Sequence, residues 1–190
     1  AVALTRMLEQ QLVDAERAPL VTCLSPLVKQ RALLREQLLG SLTAPESARV
    51  ELAAEALARS ADEGAQAALT RALEHAAPTD SRQCWTTATM VWALASITIE
   101  RNAADGPTRA LLVDVARRQT WPREPGCAAA RVYAVAALGA VKDESLRELS
   151  ATCSTTAPPW TLGFKQSNEA VLDGLTDRPI DCLAKAKLAP

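Results

Sequence analysis

Aromatic residues are scarce in this chain: four Trp, one Tyr and one Phe make up 3% of 190 residues, and Gly occurs only seven times. Strands are built preferentially from aromatic and β-branched side chains, so this shortage argues against a sheet protein. A core must then come from Ala, Leu and Val, which the 48% apolar content supplies. Small side chains suit helices whose axes approach closely. Charge of one sign is also lacking. The 21 basic residues against 22 acidic ones leave a formal charge of -1, which provides no overall field to collect a polyanion and argues against nucleic acid as a partner.

Long apolar runs are missing as well. Cys84 to Ile99 is sixteen residues without a charge, short of the roughly 20 that cross a bilayer. It also carries Thr86, Thr87, Thr89, Ser96 and Thr98, so it reads as the most buried helix of a protein with no membrane span. His75 is the only histidine, which excludes chemistry needing a His pair. It reads as a surface residue near a helix C-terminus, where imidazolium is favoured. Neither a nucleophile elbow, a phosphate-cradling glycine loop nor a zinc spacing is present. No catalytic residue, metal ligand or cofactor is assigned.

What is present is self-similarity. Shifting residues 48–69 by 81 lays Ala53 on Ala134, Ala56 on Ala137, Leu57 on Leu138, Asp62 on Asp143 and Glu63 on Glu144. Both segments describe a small-residue helix, an acidic turn and a second helix. At a shift of 37, Met90, Val91, Ala93 and Leu94 match Ala53, Ala54, Ala56 and Leu57, and Val171, Gly174 and Leu175 match Ala134, Ala137 and Leu138. Repetition at such periods marks stacked helical pairs.

The pattern predicts one domain over 1–190, with a divergent N-terminal cap over 1–42 and repeats over 44–187. Leu4, Met7, Leu8 and Leu12 place a helix over 3–17 that Pro19 ends. Ser25 and Pro26 open the next helix, striped by Leu27, Leu34 and Leu38 and closed at Gly40. Thr43 with Glu46, and Ser60 with Glu63, have capping-box spacing and open the third and fourth helices. A fifth spans about 81–100, Asp105-Gly106-Pro107 forms a turn, and Leu111, Leu112, Val115 and Ala116 mark a sixth. The linker 120–126 holds two prolines, and another helical pair begins at Cys127.

Segments 48–69 and 129–150 resemble HEAT repeats, in the short bacterial form whose first helix reads A-x-x-A-L-G. Residues 1–42 match only as generic helices, and Ala58 stands where the later copy has Gly139. The resemblance implies an all-α fold: a right-handed α-solenoid of about five helical hairpins, with a concave surface for gripping another molecule. It implies a noncatalytic scaffold or protein-binding module. The alternative it implies is a HEAT-like enzyme or carrier holding a small hydrophobic ligand, such as a tetrapyrrole, in the groove. A structural subunit of an exported or periplasmic assembly is a third reading.

The cysteines at 23, 84, 127, 153 and 182 admit two readings: buried free thiols, or bridges between neighbouring repeats. For the second, Cys84 and Cys127 each open a first helix, while Cys153 and Cys182 lie in or just after second helices. The expected pairs are then Cys84–Cys127 and Cys153–Cys182. That placement, with a first residue that is Ala and not Met, points to a periplasmic or secreted protein, a cytoplasmic one being the other reading. The opening A-V-A-L-T-R-M-L-E-Q shows no cleavable leader.

For binding, Trp121 and Trp160 adjoin prolines in linkers. Each either reaches the solvent edge as an anchor or plugs the groove between repeats. Phe164 shares the loop of Trp160. Arg123 lies beside Trp121, with Arg131 nearby, so the expected contact ridge is Trp121, Arg123, Arg131, Trp160 and Phe164. Trp85 and Trp92 share a face of the uncharged helix and read as core. The window 101–131 has six Arg against three acidic residues, which reads as a solvated helix face.

Overall fold

Every regular element among the described residues is an α-helix. The computed structural model describes residues 14–118, 120–122, 124–141 and 143–144. The helices are α1 (Asp14–Val28), α2 (Ala32–Ser41), α3 (Ser47–Ser60), α4 (Glu63–Glu74), α5 (Ser81–Arg101), α6 (Gly106–Arg117) and α7 (Pro125–Ala140). None is long and apolar enough to cross a membrane. The expected helix over 3–17 falls mostly outside the described residues, as does everything expected beyond 144.

Odd-numbered helices pack in series, α1 on α3, α3 on α5 and α5 on α7. Their contact faces are built from Ala53, Ala54, Ala56, Ala88, Ala93, Ala130, Ala134 and Ala137, all almost fully buried. The closest approach is that of α5 to α7. A Cβ added to Gly126 would stand 2.6 Å from the backbone N of Trp85 and 2.7 Å from the carbonyl carbon of Cys84. Only glycine permits this crossing. Even-numbered helices cover the row, but α2, α4 and α6 lie more extensively on the following odd helix than on the preceding one. Turns such as Ala61 and Asp62, which alone separate α3 from α4, fix only the helix ends.

The turns share a backbone device. After α3, Ala61 adopts the left-handed conformation (φ 48°), and after α5, Asn102 does the same (φ 48°). Each lets the next N–H close back on the helix: Asp62 N to Leu57 O and Ala103 N to Thr98 O, with Asp143 N to Leu138 O as the third case. A polar strap reaches each of these turns from the preceding even helix. Arg35 Nε donates to Asp62 Oδ2 at 2.5 Å, Gln66 Nε2 to the carbonyl of Ala103 at 3.5 Å, and Arg109 Nε pairs with Asp143 Oδ2 at 2.5 Å. Arg35, Gln66 and Arg109 are each the fourth residue of their helix.

Several sequence expectations are corrected. Pro19 does not end a helix, because α1 runs through both Pro19 and Pro26. A proline removes one donor, and burial of Val21, Leu24 and Val28 along one stripe outweighs that loss. The hydroxyl of Ser25 donates to the Val21 carbonyl at 2.6 Å inside the helix and opens nothing. Gly40 lies within α2, with no atom within 4 Å of an added Cβ.

Neither expected capping box forms. Thr43 Oγ1 bonds Gly40 O at 3.3 Å, Ser60 Oγ bonds Leu57 O at 2.8 Å, and Ser60 is the last residue of α3. The working caps are aspartates: Asp62 accepts from Gly64 N and Ala65 N, Asp80 from Gln83 N, and Asp105 from Thr108 N. Asp105-Gly106-Pro107 is therefore less a free turn than a helix start, with proline in the first turn where its missing N–H costs nothing.

Candidate functional site

The linkers 42–46, 75–80 and 118–124 all precede the N-terminus of an odd helix. A cleft of about 280 Å³ opens between the first two, lined by Leu42, Val50, Ala72, Pro78, Thr87 and Met90 among others. It runs from the N-terminus of α3 to that of α5, floored by the C-terminal turn of α4. Every side chain lining it is uncharged. Thr86, also in its wall, donates to the buried carboxylate of Glu51 at 2.8 Å, and Arg82 pairs with the same carboxylate at 3.2 Å. Those contacts tie α3 to α5 beneath the cleft.

One interval further along, the linker 118–124 is closed by its own residues. Trp121 is only 5% exposed and belongs to the continuous apolar core. The guanidinium of Arg118 lies 5.0 Å from the centre of its ring, a cation–π distance. The same guanidinium pairs with Asp114 and donates to the carbonyl of Ala76 at 3.3 Å, joining this linker to the preceding one. Arg131 completes the closure, donating from Nη1 to the Arg118 carbonyl and from Nε to the Cys127 carbonyl, both at 3.3 Å. Burial pulls its pKa down from the ordinary guanidinium value, yet arginine remains a cation at neutral pH.

Of the residues expected to form a contact ridge, Trp121 and Arg131 are therefore brought together with Arg118. Trp121 is corrected as a solvent-edge anchor. Its ring lies in the buried core, in keeping with the second of the two readings the sequence left open. Arg123, Trp160 and Phe164 lie outside the described residues. In the basic window Arg101, Arg109 and Arg117 are exposed, as a solvated helix face would be, while Arg118 and Arg131 are half-buried on the partners named above. His75 is exposed and caps the C-terminal end of α4. Trp85 and Trp92 are partly buried against the core.

Cys84 and Cys127 are joined, with sulfurs 2.10 Å apart and Cα atoms 4.6 Å apart. Both are fully buried, at the α5–α7 crossing that Gly126 permits. Cys23 is a free, exposed thiol, and Cys153 and Cys182 lie outside the described residues. Among the described residues no group of His, Cys, Asp and Glu is arranged to hold a metal ion.

The open cleft was not legible in the sequence. Its residues Thr87 and Met90 sit in a run that reads as buried helix, and only the position of Pro78 relative to Trp121 could have marked it. No protein-family model matches the chain, and neither a curated protein nor a solved structure does.

Proposed function

We propose that the chain is a binding module whose linker edge grips a segment of another protein, and that its helices form a right-handed α-solenoid of HEAT-like hairpins. The strap at the fourth residue of α2, α4 and α6 supports the repeated architecture, since one interaction recurs at one place in successive units. The open cleft between linkers 42–46 and 75–80 carries the functional reading. It is a preformed surface on rigid helices, so a docking segment orders little of the protein when it binds.

Cross-linking of the immobilised chain to extracts of its source tests this reading. Cross-links should concentrate on 42–46 and 75–80, and a partner held only on the outer faces of α2, α4 and α6 would overturn it. Two observations favour companion readings. The cleft could take a small hydrophobic ligand, although about 280 Å³ falls at the lower end of the roughly 300–1,000 Å³ usual for ligand sites and is tight for a tetrapyrrole. Native mass and visible absorbance of the purified chain would reveal such a passenger. The buried Cys84–Cys127 bridge favours an oxidising compartment and with it an exported assembly. Intact mass of unreduced protein, with every thiol free, would exclude that.

A further inference from the structure

The open and closed intervals of the linker edge are built from corresponding positions. His75 and Arg118 are the C-capping residues that follow α4 and α6. Three residues beyond each stand Pro78 and Trp121, and the seventh residues of α5 and α7 are Thr87 and Arg131. In the closed interval a tryptophan ring is buried in the apolar core and the seventh residue donates to a linker carbonyl. In the open interval a proline replaces the ring. Thr87 lines the cleft there, is only 4% exposed, and its hydroxyl has no hydrogen-bond partner among the described residues.

The N-terminus of α3 opens onto the same space. Its capping residue Glu46 makes no side-chain cap bond, so first-turn N–H groups near Ser47 remain available as donors. Uncharged walls, an unpaired hydroxyl and free backbone donors together call for a neutral occupant with an apolar body and a carbonyl oxygen. The closed interval shows what such an occupant looks like, because Trp121 followed by Pro122 supplies it from within the chain.

We propose that the cleft between linkers 42–46 and 75–80 is a receptor for a tryptophan-bearing, uncharged extended segment of a partner protein. The indole takes the place that Trp121 takes one interval later, and a main-chain carbonyl of the segment accepts from the Thr87 hydroxyl. The proposal rests on the reading of the chain as a partner-binding module and names the chemistry of the partner.

The test is calorimetry and amide-resolved NMR with the blocked peptide acetyl-Ala-Trp-Pro-Ala-amide, its serine-for-tryptophan control, and N-acetyltryptophanamide. The tryptophan peptide should bind and shift amides of 42–50 and 76–90, with the control at least tenfold weaker. Thr87→Val should weaken the peptide by about three- to tenfold, the usual worth of one hydrogen bond. Pro78→Trp supplies the ring internally and should abolish binding while raising Tm. If that variant does not fold, Ala72→Leu narrows the floor and should likewise reduce binding.

Equal affinity for the serine control, or unchanged affinity in both Thr87→Val and the cleft-filling variant, overturns the proposal. N-acetyltryptophanamide binding as tightly as the peptide overturns the peptide part in favour of a small-molecule pocket. A partner cross-linked to the linker edge while the tryptophan peptide fails to bind would leave the binding-module reading standing and remove this inference alone.

Discussion

Gly126 and Gly40 show how far the same substitution diverges with its surroundings. An added Cβ at Gly126 meets the α5 backbone at 2.6–2.9 Å, and a backbone cannot swing aside. Gly126→Ala should lose about 1–3 kcal/mol, read as a lowered urea midpoint. At Gly40, in α2 with open space around it, Ala should gain about 0.5–1 kcal/mol through helix propensity. Trp121→Ala should cost about 3–5 kcal/mol because the ring is core and not surface.

Tyr133, the only tyrosine, offers a pH readout. Burial pushes its phenol well above the usual value. The folded state thus holds the proton more tightly than the unfolded state. Stability linked to it is intact below about pH 10 and declines as pH rises above that point. Phenolate absorbance should appear only as the protein unfolds, and a normal titration in folded protein would contradict the burial.

At the scale of the element, α5 carries the greatest burden. It contacts α3, α4 and α7, and Cys84, Val91, Ala93, Leu94, Ile97 and Thr98 are fully buried along it. Native-state hydrogen exchange should be slowest there, with α2 exchanging sooner. The Cys84–Cys127 bridge closes a separation of 43 residues. Replacing both cysteines by Ser should cost about 2–4 kcal/mol, measured by denaturant titration. Because both sulfurs are buried, dithiothreitol should act slowly without denaturant, while exposed Cys23 alkylates at once.

The helices were readable because Ala, Leu and Val recur at helical spacing, and the 81-residue echo placed Asp62 and Asp143 in matching turns. Their ends were not readable to the same degree. Thr43 and Ser60 have the right spacing for capping, yet α3 starts after Glu46 with no side-chain cap, and α4 is capped by Asp62 because Ser60 is still the last residue of α3. Pro19 and Pro26 carry a strong local preference that only the burial of Val21, Leu24 and Val28 overrides. Whether Trp121 faced water or the interior depended on how closely α5 and α7 approach. That distance is set by Gly126 and the cysteine bridge, and no linear pattern displays it.

Across the whole molecule, the straps run in one direction, from a donor in one unit to an acceptor in the next. Arg35 and Arg109 each meet an aspartate, whereas Gln66 meets the bare carbonyl of Ala103. The units therefore carry an order of succession. A chain engineered to duplicate α3 through α6 in tandem would bring Arg109 against a second copy of Asp62, a compatible joint. Splicing α2 directly ahead of α5 would instead set Arg35 against the bare carbonyl of Ala103, so that recombinant should keep a hydrogen bond at the joint but assemble less firmly for want of the ion pair.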